Sequence, residues 1–518
     1  MRAVCAGLLF LASVVGMPAL AQNAVNTATV APPSGVTDPT CNVALPECNS
    51  ATDSDTVVYG VTLTKAWSNA IAGNAVSLTI SGSGVSGATG GTSTAPATTT
   101  AATANATFGS TVTLAEGFTT GAAGNYTTTL ACTDGGGNPV TVTGTGLSRT
   151  IVMPASAVTC TYTNSRIAQQ LNLAKVWGAG SVAGHTATAT TTGGTGNPTF
   201  NSTAPTNTTG TPVTVYAGDV VTLPAEGFGG GATAGSYTTT VACAGGSVLA
   251  SGATGRTVTI TNSSTATTCT YTNTPANFGV TLTKAWSNAI AGNAVSLTIS
   301  GSGVSGATGG TSTAPATTTA ATANATFGST VTLAEGFTTG AAGNYTTTLA
   351  CTDGGGNPVT VTGTGLSRTI VMPASAVTCT YTNSRIAQQL NLAKVWGAGS
   401  VAGHTATATT TGGTGNPTFN STAPTNTTGT PVTVYAGDVV TLPAEGFGGG
   451  ATAGSYTTTV ACAGGSVLAS GATDRTVTIT NSSTDTTCTY TNNIVPPVIS
   501  SSKTSNPATG TTVNPGDT

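Results

Sequence analysis

The stretch Val61-Thr62-Leu63-Thr64-Lys65-Ala66-Trp67 occurs twice in this chain, the second time as Val280–Trp286. It recurs in altered form as Leu171-Asn172-Leu173-Ala174-Lys175-Val176-Trp177 and again at Leu390–Trp396. A strand turns successive side chains to opposite faces, so Val61, Leu63, Lys65 and Trp67 share one face while Thr62, Thr64 and Ala66 share the other. This places a lysine on the apolar face, between a leucine and a tryptophan. Lysine is almost never fully buried unless paired. Four of the five lysines, Lys65, Lys175, Lys284 and Lys394, stand in this setting, and only Lys503 does not.

The scarcity of charge makes the pattern informative. Charged residues are 5% of the 518-residue chain, against about 25% in ordinary globular domains. A formal net charge of −3 leaves no basic footprint for nucleic acid and no basic helix for a membrane surface. Thr, Val and Tyr runs bounded by Gly, Asn and Pro predict many short strands. The one tempting helical stretch is Ile167–Lys175, IAQQLNLAK.

The N-terminus reads as an export signal over residues 1–21: Arg2, an apolar run from Leu8 to Val15, and Ala19-Leu20-Ala21 as a small-x-small cleavage site. That run is too short to span a bilayer. Cys5 lies inside it, so ten cysteines remain, an even number that suits disulfides in an oxidising compartment. Residues 22–58 read as a loose leader in which Cys41 and Cys48 close a small loop.

From Val61 the chain is repetitive. The block Val61–Asn273 returns as Val280–Asn492, with only Gly255/Asp474 and Ala266/Asp485 differing. Each block holds two related halves, because Lys65 to Glu116 and Lys175 to Glu226 are equal spans, and Lys65 to Asn164 exceeds Lys175 to Asn273 by one residue. We therefore expect an all-β tandem array of four immunoglobulin-like β-sandwich domains of two alternating types, at residues 59–165, 166–277, 278–384 and 385–493. Alternation keeps the near-identical pairs apart, which limits misfolding across boundaries. Residues 494–518 read as a linker and the opening of a further domain, so the stretch is expected to belong to a longer chain.

Each domain retains one lysine and one glutamate: Glu116, Glu226, Glu335 and Glu445. Glu116 shares its side with Val112, Leu114 and Phe118, and Asn164 shares its side with Cys160 and Tyr162. In the second domain type Pro224 interrupts the alternation ahead of Glu226, and a bulge is expected to restore it. A desolvated lysine favours the neutral, nucleophilic amine. A buried glutamic acid can polarise an amide and shuttle protons. Attack of that amine on an asparagine side-chain carbonyl would expel ammonia and leave an isopeptide bond. The plain alternative is a buried Lys–Glu ion pair with the asparagine as hydrogen-bond partner.

The combination of a first-strand Lys-x-Trp, a middle-strand Glu and a closing Thr-Asn (Thr163-Asn164 and its copies) resembles the SpaA-like, prealbumin-like domains of bacterial adhesins and pilins, the collagen-adhesin B-type family. The resemblance spans residues 59–493. It implies a prealbumin-like β-sandwich and bonds joining Lys65 to Asn164, Lys175 to Asn273, Lys284 to Asn383 and Lys394 to Asn492. Glu116, Glu226, Glu335 and Glu445 would be the respective catalysts. The cysteines and Pro224 depart from the family's pattern.

One cysteine pair per domain is expected as a disulfide: Cys132–Cys160, Cys243–Cys269, Cys351–Cys379 and Cys462–Cys488. No second Cys or His pair stands near them to bind metal. His185 and His404 read as loop or strand-surface residues, and Gly135–Gly137 lacks the strand-to-helix setting of a phosphate loop. The function expected is the structural stalk of an exported bacterial adhesin, without cofactor, facing a host or matrix component. The alternative is an array of carbohydrate- or matrix-binding modules, which should expose aromatics on one face. A secreted hydrolase lacks any Ser/His/Asp or paired-carboxylate setting.

Overall fold

In a computed structural model, residues 23–29, 50–250, 256–315, 317–469, 475–502 and 512 are described. Cys41 and Cys48, the export signal and the position pair Gly255/Asp474 lie outside them. In the leader, Asn23–Thr29 pairs antiparallel with Ser50–Thr56 as an exposed ribbon.

Period-two alternation organises the four domains. Along Val58–Ser68, Val61, Leu63 and Lys65 are buried and the threonines between them are not. The first domain is two facing six-stranded sheets. One runs Pro139–Val140, Tyr126–Asp134, Val158–Arg166, Val58–Ser68, Ala102–Thr107, Val85–Thr89. The other runs Val142–Thr143, Ser148–Val152, Thr111–Thr120, Ala75–Ser81, Gly91–Thr94, Thr98–Thr100. Leu63, Leu78, Leu114, Ile151 and Tyr162 fill the space between them. The opening and closing strands are parallel neighbours, with Tyr162 opposite Lys65 and Asn164 opposite Trp67.

The second domain keeps the parallel pair of opening and closing strands, Ala168–Trp177 beside Thr267–Pro275. Ala168–Trp177 is a strand, not a helix: Gln169, Leu171, Leu173, Lys175 and Trp177 are buried in strict alternation. Packing against the closing strand overrides the helical preference of the Gln-Gln-Leu run. Its facing layer is split into two three-stranded sheets. The bulge expected at Pro224 is instead a break. The strand Val220–Leu223 stops, Pro224–Glu226 joins no ladder, and Gly227–Gly229 resumes in the other small sheet. Proline has no N–H to donate to a ladder, so the sheet parts there.

The third and fourth domains repeat both plans with the same pairings. By its contacts the chain divides into two compact units, the first two domains forming most of one and the last two most of the other. In each block a charged pin joins the two domains. Arg166, ending the first domain's closing strand, donates through Nε to Ala217 O at 2.6 Å and through Nη2 to Asp219 Oδ1 at 2.7 Å. Beside it Gly218 has φ +84°, a left-handed conformation that favours glycine, and a Cβ there would press on Asn125 Nδ2 of the first domain at 2.6 Å. Arg385 and Asp438 repeat the pin in the second unit.

Candidate functional site

The cluster is assembled from three strands. Lys65 and Asn164 come from the adjacent parallel strands, one pleat step apart. Glu116 reaches across from the facing sheet, where it sits opposite Leu78. Lys65 Nζ lies 3.0 Å from Glu116 Oε2, with both side chains shut off from solvent. The corresponding distances are 3.1 Å for Lys175–Glu226, 3.5 Å for Lys284–Glu335 and 3.3 Å for Lys394–Glu445, again with no side-chain exposure. The break at Pro224 thus leaves Glu226 in the same place that unbroken alternation gives Glu116.

Each lysine Nζ also stands over the tryptophan two residues on, 4.4–4.7 Å from the ring centroid. The indole is held in turn, Trp67 Nε1 donating to Ser93 Oγ at 2.9 Å and Trp177 Nε1 to Ser202 Oγ at 3.0 Å. Trp67 packs edge-on against Phe118 and Tyr126. Its rings are therefore engaged with one another rather than presented as a stacking platform.

Burial brings Lys65 and Lys284 down to about 8, against the opposing pull of the neighbouring glutamate. Lys175 and Lys394 are lowered for the same reason. Burial pushes the Glu335 carboxyl up, more than the neighbouring Lys284 charge draws it down. Both trends favour proton transfer within the pair, to a neutral amine beside a neutral acid. The asparagine amides complete the arrangement. Their carbonyls each accept a hydrogen bond, but the Nδ2 atoms of Asn164, Asn273, Asn383 and Asn492 are buried without a hydrogen-bond partner. A buried orphan donor costs about 1–3 kcal/mol.

All four expected disulfides of the domains are present, and Cys132–Cys160, Cys351–Cys379 and Cys462–Cys488 join directly opposed residues of adjacent antiparallel strands. Each sits two pleat steps down the closing strand from the asparagine. Residues 61–166, 172–275, 281–385 and 391–494 each match the prealbumin-like fold domain. The chain belongs to this family. Its prealbumin-like domains are similar in fold to the Bacillus anthracis TIE protein, at 12% identity over 86% of this chain and 70% of that one, with a TM-score of 0.36. They are also similar to the pilus adhesin SpaC of Lactobacillus rhamnosus GG, at 10% identity over 82% of this chain and 57% of that one, TM-score 0.23. A third similar structure is a Mobiluncus mulieris adhesin described as containing intramolecular disulfide, isopeptide and ester bond cross-links, at 13% identity over 40% of this chain and 87% of that one, TM-score 0.18. No curated protein matches the chain.

Both histidines lie in loops, as expected, but neither is exposed. His185 is buried, and His404 is half-buried with Nδ1 2.9 Å from the Tyr456 hydroxyl, because the Val-Ala-Gly-His turn folds back onto that tyrosine. Among the described residues no helix is long and apolar enough to cross a membrane, and no cluster of three or more His, Cys, Asp or Glu could hold a metal. Sequence reasoning misses Thr128 and Thr239, whose hydroxyls donate to the Asn164 and Asn273 carbonyls at 2.8 Å. In a chain so rich in threonine, nothing in the pattern marks these two.

Proposed function

We propose that the chain is the stalk of an exported bacterial surface adhesin, and that each prealbumin-like domain locks itself by one Lys–Asn isopeptide bond. The observation that carries this reading is the fourfold recurrence of a neutralisable lysine, a buried glutamate and an asparagine whose amide nitrogen has no partner. The Lys65 amine attacks the Asn164 side-chain carbon, Glu116 supplies and recovers protons, and Nδ2 departs as ammonia. The orphaned donor is the leaving group, so reaction removes the unsatisfied atom.

The mechanical consequence supports a stalk. Tension enters the first domain at Val58 and leaves at Arg166, along parallel neighbouring strands. A Lys65–Asn164 bond passes that load directly from one strand to the other, and everything between residues 65 and 164 is spared. The load path then runs through Asn164–Lys175, Asn273–Lys284 and Asn383–Lys394. By the chain-entropy relation a loop of this length adds roughly 4.7 kcal/mol, and a disulfide across 26–28 residues about 3.5 kcal/mol. The inward packing of Trp67, Phe118 and Tyr126 argues against an array of glycan-stacking modules.

The test is the intact mass of the purified chain. A deficit of one ammonia per domain, four in all, beyond the hydrogens lost to disulfides, is the expected result. A mass lacking only the disulfide hydrogens would reduce the cluster to a buried ion pair.

A further inference from the structure

We propose that one strand threonine in each domain of the second type, Thr239 and Thr458, relays the proton from the glutamic acid to the asparagine carbonyl during bond formation. The proposal rests on the cross-linking reading above.

The geometry is clearest in the second domain type. Thr239 Oγ1 lies 2.8 Å from Asn273 Oδ1 and 3.0 Å from Glu226 Oε2. Thr458 Oγ1 lies 2.8 Å from Asn492 Oδ1 and 2.9 Å from Glu445 Oε2. A hydroxyl has a single hydrogen to donate. It can bridge two oxygens fully only if one of them brings its own hydrogen. An amide carbonyl cannot, and a carboxylic acid can. The arrangement therefore orders itself as Glu O–H to Thr Oγ1, then Thr O–H to Asn Oδ1. In the first domain type Thr128 and Thr347 make the same 2.8 Å bond to Asn164 and Asn383. There the contact with the acid is open: both carboxyl oxygens of Glu116 and Glu335 are buried without a hydrogen-bond partner.

Register selects this threonine from its neighbours. In Tyr126-Thr127-Thr128-Thr129 the middle threonine is the cross-strand partner of Asn164, and in the fourth domain Thr458 is the partner of Asn492. Thr127 and Thr129 turn to solvent. No other hydroxyl is hydrogen-bonded to the asparagine carbonyl among the described residues.

The step balances. As Lys Nζ attacks Cγ, the carbonyl π pair moves to Oδ1, which takes the threonine hydrogen, and the threonine takes the glutamic acid hydrogen. The carboxylate then removes a proton from Nζ. On collapse Glu gives that proton to Nδ2, the Oδ1 hydrogen returns through threonine to Glu, and ammonia leaves. Threonine and glutamic acid end as they began.

The experiment uses the full chain with Thr239→Val and Thr458→Val together. The first and third domains then serve as internal controls. Chains are made in an oxidising cell-free system, quenched at intervals and weighed intact. Removing one donor to a developing oxyanion slows a reaction by about 100-fold or more. The expected result is two prompt ammonia losses, with the other two delayed by a factor of that order, and prompt loss of all four restored by Thr239→Ser with Thr458→Ser. Four prompt losses in the valine chain overturn the relay while leaving cross-linking intact. No loss even in the unsubstituted chain overturns both. Formation of Cys243–Cys269 and Cys462–Cys488 reports folding of the altered domains. Should they fail to form, Thr239→Ala with Thr458→Ala puts the same question in a smaller side chain.

Discussion

Arg166 and Asp219 form a buried ion pair across the junction of the first two domains, with side chains only 3% and 7% exposed. Asp219 is over-committed: its other oxygen accepts from Thr195 and from Tyr216 N. Burial pushes its pKa up, but those hydrogen bonds and the Arg166 charge outweigh it and hold it below the ordinary carboxylate range. Removing one partner of such a pair leaves an uncompensated buried charge, which costs about 3–5 kcal/mol. Asp219→Ala should therefore destabilise the second domain by roughly that amount in urea unfolding. Arg166→Met with Asp219→Leu should lose less than Asp219→Ala alone. A double loss equal to the sum of the two single losses would mean the charges act independently of each other.

The same asymmetry applies to Gln169, on the opening strand of the second domain. Its Nε2 donates to Gly246 O at 2.9 Å and Thr261 O at 3.1 Å, and its Oε1 accepts from Thr267 Oγ1 at 3.0 Å. One side chain thereby joins the opening strand, the closing strand and two turns. Gln169→Leu keeps the volume but takes their Gln169 partner from the Thr267 hydroxyl and the Thr261 carbonyl, while Gly246 O keeps its bond from Thr261 N, so a loss of about 1–3 kcal/mol is expected. Gln388→Leu should behave alike in the fourth domain. A chain in which Gln169→Leu melts as the parent does would show that water satisfies these groups.

Lys65 offers a pH test in a chain where the proposed bond cannot form. In an Asn164→Ala chain the amine stays free and titrates near 8, below its unfolded value of 10.5, because burial outweighs the pull of Glu116. Between these values the unfolded chain binds the extra proton, so stability of the first domain rises with pH across that window. The full shift corresponds to roughly 3 kcal/mol. Tyr162 works the other way, its hydroxyl being pushed up to about 12, so its contribution is lost only as pH climbs beyond 10. The rise should thus be seen from pH 8 to 10 in urea midpoints, and should vanish when Lys65→Met is added. A flat profile in Asn164→Ala would show that Lys65 is not desolvated.

Much of this site is legible in the sequence because the chain has so few charges. Lys65 and Glu116 alternate with leucines and valines, so their convergence comes from the pleat alone, and Asn164 joins them through its place beside Tyr162. The limits are of two kinds. Thr128 and Arg166 make their contacts through register and junction geometry, which alternation does not reveal, although Arg166 and Asp219 stand out as charges repeated at Arg385 and Asp438. The bulge expected at Pro224 presupposes a single continuous strand. The loss of one N–H instead divides the facing layer in two, and Glu226 reaches Lys175 from a segment outside either ladder.

Stretching a single chain between its ends separates the locked from the unlocked state. With every domain bonded, tension runs only through the short segments joining each asparagine to the next lysine, and no domain can lengthen without breaking a covalent bond. Lys65→Ala frees the first domain alone. Its Val58–Arg166 segment then unravels except for the loop held by Cys132–Cys160. At about 3.4 Å per residue that is an extension on the order of 250 Å. Adding a reductant should release the loop of 28 residues, a further length of roughly 95 Å. The parent chain should show neither step at forces that unfold ordinary β-sandwiches, even with reductant present, because the disulfide loop lies wholly inside the Lys65–Asn164 bond. Four parent unfolding steps of this size would mean that the lysines and asparagines are only neighbours.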